Sequence, residues 1–260
     1  MTGGGGRCNA LMSERDELVT NLRQLVELER GFGVEWLPLP ERASAPAAGS
    51  LAAPTTTGTP AWTLPPGLAG EAALERIALD VSACQRCGLC AKRHRTVPGE
   101  GSPTPELLFI GEGPGADEDR LGRPFVGAAG QLLDKMITAM GFERGQVFIA
   151  NVVKCRPPDN RPPEPAEVAS CLPFLIAQIA VLKPKVLCLL GNTPLRALFG
   201  PTTPGITQVR GKRLVWQGLP TYPTFHPSYL LRNEAGKKPA WEDLKLVLRE
   251  LGREPPPRRG

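Results

Sequence analysis

No apolar run in this chain approaches the roughly 18 residues that a membrane span needs, and the N-terminus lacks the apolar core of a secretory signal. These absences predict a cytoplasmic protein with no membrane partner. The GxGxxG fingerprint and the Gly-Lys-Ser/Thr ending of a P-loop are both missing, so a nucleotide cofactor has little support. Seven cysteines is an odd number, which argues against a full disulfide framework, as does a reducing compartment. Aromatic residues make up only 5% of the chain, and there are two histidines, His94 and His226. An aromatic or imidazole in a loop therefore stands out. Nor is there a large excess of one charge: the net +5 suits a polyanionic partner but is too small to prove one. The 260 residues fit one large domain plus an appendage.

What the chain does have is a cysteine pattern. Cys84 and Cys87 have two residues between them, and Cys155 and Cys171, far downstream, have fifteen. A C-x2-C pair on a tight turn lets two thiolates reach one ion or one cluster. Four such sulfurs complete either a zinc site or a 4Fe-4S cluster, and spacing alone does not choose between them. Cys188, inside the apolar run VLCLLG, is most simply a small core residue. Cys90 lies near enough to Cys87 to be the alternative ligand, and Cys8 is left over. A dense ferredoxin run of cysteines is absent, which disfavours an electron carrier.

Composition divides the chain into four parts. Residues 1–37 are an N-terminal extension whose segment MSERDELVTNLRQLVELER (12–30) has the apolar spacing of an amphipathic helix after Ser13. That helix either docks an unidentified partner or packs on its own domain. Residues 38–70, rich in Pro, Ala, Gly, Ser and Thr, read as a flexible linker, and 253–260 as a disordered tail. Between them, 71–252 alternate short apolar runs with helical stretches. LLFIG (107–111), VFIANVV (147–153), VLCLLG (186–191) and TYPTFH (221–226) read as strands. The helices fall near 128–140, 165–182, 193–199 and 240–251. This alternation predicts an α/β protein, a three-layer α/β/α sandwich around a mostly parallel central sheet. The segment ITQVRGKRLVW (206–216) reads as a basic hairpin on the rim.

In such sheets ligands bind above the carboxyl ends of the strands. The loops GEGPG, NVVKCRPP, GNTP and HPS each follow a strand, so they converge on one mouth. Glycines in the first let backbone approach a planar ligand closely. Asn151 ends an apolar strand, where a buried amide must be hydrogen-bonded and offers one donor and one acceptor face. Phe125 in GRPFVG is either a core ring or a stacking surface. His226, taken alone, is more simply structural. The acidic run Asp117, Glu118, Asp119 reads as solvated loop carboxylates, and KRHR (92–95), with His94, as a phosphate-contacting basic patch.

The order of GEGPGADEDRLGRPFVG (111–127), ANVVKCRPP (150–158) and HPS (226–228) resembles the uracil-DNA glycosylase superfamily. With the cysteine spacing it is similar to family 4, the iron–sulfur branch, over about residues 72–251. The resemblance implies a monomeric, monofunctional glycosylase that flips uracil out of DNA, hydrolyses its N-glycosidic bond and so initiates base excision repair. It implies a 4Fe-4S cluster on Cys84, Cys87, Cys155 and Cys171, acting as a structural staple that orients the basic loop of Arg156 and Arg161. Glu112 and the backbone at Gly113 would line the pocket near the scissile bond. Glu118 would wall the C5 edge, where a thymine methyl clashes. Phe125 would stack on the flipped base, and Asn151 would match uracil O4 and N3–H. His226 would hydrogen-bond O2 as charge builds there, and Leu230 would be the apolar wedge filling the vacated stack.

One departure matters. The best-known branch of the superfamily opens this loop with Gly-Gln-Asp-Pro-Tyr, whereas here Gly113 and Gly115 stand at the Asp and Tyr places. Water positioning then falls to Glu112, to backbone carbonyls or to the substrate. The QVRGK segment also lacks the histidine of a covalently trapping relative, which favours simple turnover. The rival reading is a non-catalytic, metal-stabilised nucleic-acid-binding module.

Overall fold

The computed structural model describes residues 62–257. Its sheet is built from β1 (Glu100–Gly101), β2 (Leu107–Gly111), β3 (Phe148–Asn151), β4 (Val186–Leu190), β5 (Leu214–Trp216) and β6 (Leu219–Thr224). The helices are α1 (Gly70–Ser82), α2 (Ala116–Leu121), α3 (Ala128–Ala139), α4 (Pro165–Leu182), α5 (Asn192–Phe199), α6 (Ile206–Val209), α7 (Pro227–Arg232) and α8 (Lys237–Glu250). Strand order is β1-β3-β2-β4-β6-β5. The central four strands run parallel, and both edge strands are antiparallel to their neighbours.

Side chains alternate across a strand, so a strand covered on both faces must be apolar throughout. Leu108 and Ile110 of β2 enter one core with Leu187, Leu189, Ile77, Phe174, Leu175 and Ile179. Leu107 and Phe109 enter the other with Val186, Cys188, Leu133, Ile137, Leu244 and Leu248. The first core is roofed by α1 and α4, the second by α3 and α8, which is the expected three-layer sandwich. Each such Leu or Ile contributes about 2 kcal/mol on burial. Cys188 is a core residue, and burial pushes its thiol pKa upward. The chain leaves β2 for β3 on one side and returns to β4 on the other. That reversal opens a crevice at the carboxyl edge of the sheet.

Several sequence expectations change. Helix α4 is long and apolar enough to cross a membrane, with hydropathy 1.7 over 18 residues, contrary to the expectation that no run approaches that length. In the fold its Cys171, Phe174, Leu175, Ile179 and Leu182 are buried. The linker ends sooner than residue 70, because the Trp62 ring packs 4.5 Å from Phe174 and its indole N–H donates to Asp80 at 3.0 Å. The tail is docked at its start: Arg253 pairs with Glu106 at 2.5 Å and lies over the Phe142 ring at 4.5 Å. Residues 206–216 are not a hairpin but α6 followed by β5, which pairs with β6. Their arginines are absorbed by α8, Arg210 on Asp243 at 2.9 Å and Arg213 on Glu250 at 2.9 Å. The expected N-terminal helix, most of the linker and Cys8 lie outside the described residues.

Candidate active site

The carboxyl ends of β2, β3 and β6 surround a cavity of about 380 Å³, the size of a small-ligand site. Glu112, Gly113, Glu118, Phe125, Asn151 and His226 all line it. A neighbouring cavity of about 440 Å³ beside β4 shares Glu112, His226, Ser228 and Arg232.

Asn151 closes β3 with 1% of its surface exposed. Its Oδ1 is buried and has no hydrogen-bond partner among the described residues. An orphaned acceptor costs about 1–3 kcal/mol, and native interiors satisfy nearly all such groups. The oxygen is free to accept a donor that enters the cavity. Gly111 faces it: a Cβ there would touch Asn151 Oδ1 and lie 2.5 Å from Phe125 Cζ, so a side chain would press on both pocket residues.

Phe125 sits at φ 50°, a left-handed conformation that a bulky residue rarely adopts. Such strain costs about 1–3 kcal/mol and persists only where neighbours enforce it. Arg144 enforces it, donating to the carbonyls of Pro124 at 2.5 Å and Phe125 at 3.2 Å while pairing with Asp134 at 2.6 Å. Gly130 in α3 is bare where a Cβ would collide with the Phe125 carbonyl. The ring so held is 5.6 Å from the His226 ring, inclined by 33°.

His226 caps α7. Its Nδ1 accepts from the Ser228 N–H at 3.1 Å and lies 2.7 Å from Ser228 Oγ. An accepting Nδ1 leaves the ring proton on Nε2. Burial lowers the imidazole pKa to about 4; Arg232 lowers it further and Glu118 opposes. At neutral pH the ring is therefore an uncharged Nε2–H donor.

Of the acidic run, Asp117 is solvated, with 56% of its side chain exposed, but Glu118 and Asp119 are engaged. Glu118 accepts from the amides of Val126 at 2.8 Å, Gly127 at 2.9 Å and Gly115 at 3.0 Å, which fastens the GRPFVG loop to α2. Asp119 is buried and accepts from the His94 amide at 2.9 Å, so it anchors the KRHR loop. The Thr193 hydroxyl at the start of α5 donates to Glu112 Oε2, holding that carboxylate between the two cavities.

Leu230, the expected wedge, is 2% exposed in α7, while its neighbour Leu231 is 47% exposed. Arg161, in the basic loop expected to be oriented by the cluster, is held by Glu167 at 2.8 and 2.7 Å. Sequence reasoning missed Arg144, Gly130, Thr193 and Arg232. Arg232 lies in both cavity linings and has no ion-pair partner among the described residues.

Cys84, Cys87, Cys90, Cys155 and Cys171 all line one further cavity. Among the described residues no three His, Cys, Asp or Glu side chains could hold a single ion. The Arg93 guanidinium donates to Cys155 Sγ at 3.3 Å, the Lys154 amide donates to Cys171 Sγ at 3.3 Å, and the buried Arg86 Nε has no partner. Burial pushes the Cys171 thiol up to about 12, against the opposing charge of Lys154.

Taken together, these features define an α/β protein in which an aromatic ring, an amide and an imidazole converge on one cavity at the edge of a parallel sheet. The family model described as the uracil DNA glycosylase superfamily matches residues 98–245. The chain is 47% identical over 186 residues to a type-4 uracil-DNA glycosylase of Sulfurisphaera tokodaii, covering 68% of this chain and 84% of that relative. It is 46% identical over 168 residues to the type-4 protein of Thermotoga maritima, covering 64% and 88%. A type-5 uracil-DNA glycosylase of Pyrobaculum aerophilum is 30% identical over 154 residues, covering 52% and 67%. The chain belongs to the uracil-DNA glycosylase superfamily, in its type-4 branch.

Proposed function

We propose that this chain is a monofunctional uracil-DNA glycosylase acting in DNA repair, and that the cavity of Asn151, Phe125 and His226 receives an extruded uracil. The observation that carries the reading is the unpartnered Oδ1 of Asn151. Uracil offers N3–H to that oxygen and O4 to the amide N–H. Cytosine offers a bare N3 and an amino group, so it matches neither. A site built to pair a base edge rejects the wrong base because polar groups would be left unpaired. The names of the type-4 relatives, at 47% and 46% identity, support the same substrate.

In the reaction the C1′–N1 bond breaks and its electron pair leaves with the base. Negative charge spreads to O2 and O4, and cationic character builds on the sugar. The Nε2–H of neutral His226 stabilises that charge at O2 more in the transition state than in the ground state. Phe125 stacks on the base, and its enforced backbone geometry keeps the stacking surface in place. Water adds to C1′ and gives up a proton, which is finally carried by the released uracil. Glu112, oriented by Thr193, is the carboxylate suited to order that water. Glu118, fixed by three amides, is a rigid wall at the C5 edge against a thymine methyl. Arg232 at the mouth suits a phosphate.

The proposal extends to a 4Fe-4S cluster held by Cys84, Cys87, Cys155 and Cys171. The support is chemical: the thiols ring a cavity without converging as a zinc ion at about 2.3 Å from each sulfur would demand. Arg86, Arg93 and Lys154 supply N–H donors suited to the sulfurs of a net-negative group. When bound, the cluster would tie the loop after α1 to Cys155 in the segment after β3 and to Cys171 in α4.

The activity is tested on a strand carrying one deoxyuridine. Incubation followed by alkali should break the strand at that position, and thymidine or deoxycytidine there should leave it intact. A protein that retains the uracil strand without breaking it is a non-catalytic reader, which sinks the proposal.

A further inference from the structure

Lys154 is buried, with 1% of its surface exposed. Its ammonium donates to the Asn151 carbonyl at 2.9 Å and to Gln178 Oε1 at 2.6 Å. Both acceptors are neutral, and no carboxylate pairs with it among the described residues. An ammonium taken out of water without a counter-charge is costly. The same residue's backbone N–H donates to Cys171 Sγ at 3.3 Å, and Lys154 lines the thiol cavity. Gln178 is in turn fixed by the Pro98 carbonyl at 2.7 Å. One residue thus touches Asn151 through its ammonium and the cysteine site through its backbone amide.

We propose that Lys154 is a positioning residue whose counter-charge is the thiolate-bound cluster, and that it couples the cluster to the base pocket by holding Asn151 in place. This rests on the cluster reading above. The physical logic has two halves. A net-negative cluster compensates the buried ammonium, so the lysine stays in its site. The lysine, by pinning the Asn151 carbonyl, fixes the end of β3 from which the orphaned Oδ1 projects. Losing the cluster removes the compensation, and losing the lysine removes both the pin and one positive charge beside the cluster.

The test uses the full chain, purified with its iron. Iron content and absorbance near ~400 nm in the parent come first; an iron-free, colourless but soluble parent sinks the cofactor reading, and the coupling with it. In an iron-loaded parent, Lys154→Met and Gln178→Glu are then compared. Lys154→Met should keep its iron, shift the cluster's midpoint potential to more negative values, and reduce the preference for uracil over cytosine by roughly five- to tenfold, the worth of one lost hydrogen bond. Gln178→Glu gives the ammonium a carboxylate while leaving its bond to Asn151, so the potential should fall and the base preference should hold. A merely structural lysine would alter stability alone. Unchanged potential in either iron-loaded variant overturns the proposal, as does unchanged base preference in Lys154→Met. Should Lys154→Met fail to fold, the potential of Gln178→Glu decides alone.

Discussion

Replacing His226 by alanine isolates the chemical step from binding. The ring's Nδ1 is already committed to Ser228, at 3.1 Å from its amide, so the cavity loses one thing, the Nε2–H donor. Losing one donor to a developing oxyanion costs about 2.7–4 kcal/mol, or roughly 10²–10³ in rate. Binding of uracil-containing DNA should stay near the parent's, because stacking on Phe125, pairing with Asn151 and phosphate contacts remain. The variant also loses the helix cap, worth about 1 kcal/mol of stability. His226→Ser restores a capping oxygen and should recover melting temperature but not rate. Single-turnover excision with protein in excess, beside binding constants on paired and unpaired strands, separates these effects. The folded-state pKa of about 4 adds a pH signature. The ring is neutral above that value, so the parent's single-turnover rate should show no inflection near pH 6.5 attributable to His226. The sign for stability follows: the folded pKa lies below the unfolded 6.5, so this contribution is complete above about pH 6.5 and is lost as pH falls towards 4. Excision by His226→Ala at the parent rate, or a parent inflection near 6.5 that vanishes in the variant, would refute the reasoning.

Other expectations can be checked together. Asn151→Asp presents an acceptor where uracil O4 needs a donor, so uracil excision should fall by more than about tenfold while cytosine gains some ground, read as the ratio of kcat/KM values. Replacing Cys84, Cys87, Cys155 or Cys171 by Ser should lose iron and much soluble protein, since metal binding here is also folding energy. Cys90→Ser should leave iron content unchanged, and the reverse outcome would reassign the ligand. Arg144→Met frees the Pro124 and Phe125 carbonyls that it now holds. Phe125 should then relax from its left-handed backbone, raising KM for uracil-containing DNA while the cluster absorbance stays unchanged.

Much of this arrangement was legible in the sequence, for identifiable reasons. Strands such as LLFIG are buried on both faces, so they appear as unbroken apolar runs, and Asn151 and His226 stand where such runs end. The edge strands β1 and β5 were not legible, because Glu100–Gly101 and Leu214–Trp216 are too short to carry a period. Leu230 and Leu231 are neighbours of one type, and only the rotation of α7 decides which faces solvent. Arg161 reads as a free cation in a Pro-rich loop, but its partner Glu167 is brought back by the first turn of α4. The clamp of Arg144 on Phe125 joins residues 19 apart through a backbone carbonyl, a partner that no residue identity reveals.

The most direct test of the central claim is a mass balance on the product. Iron-loaded parent protein, incubated with DNA carrying one deoxyuridine, should release free uracil in step with abasic sites, one for one, and leave the strand unbroken until alkali is added. The Asn151→Asp and His226→Ala proteins should slow both products in parallel. Strand scission without free uracil, or no base release from folded and iron-loaded protein, would contradict the account.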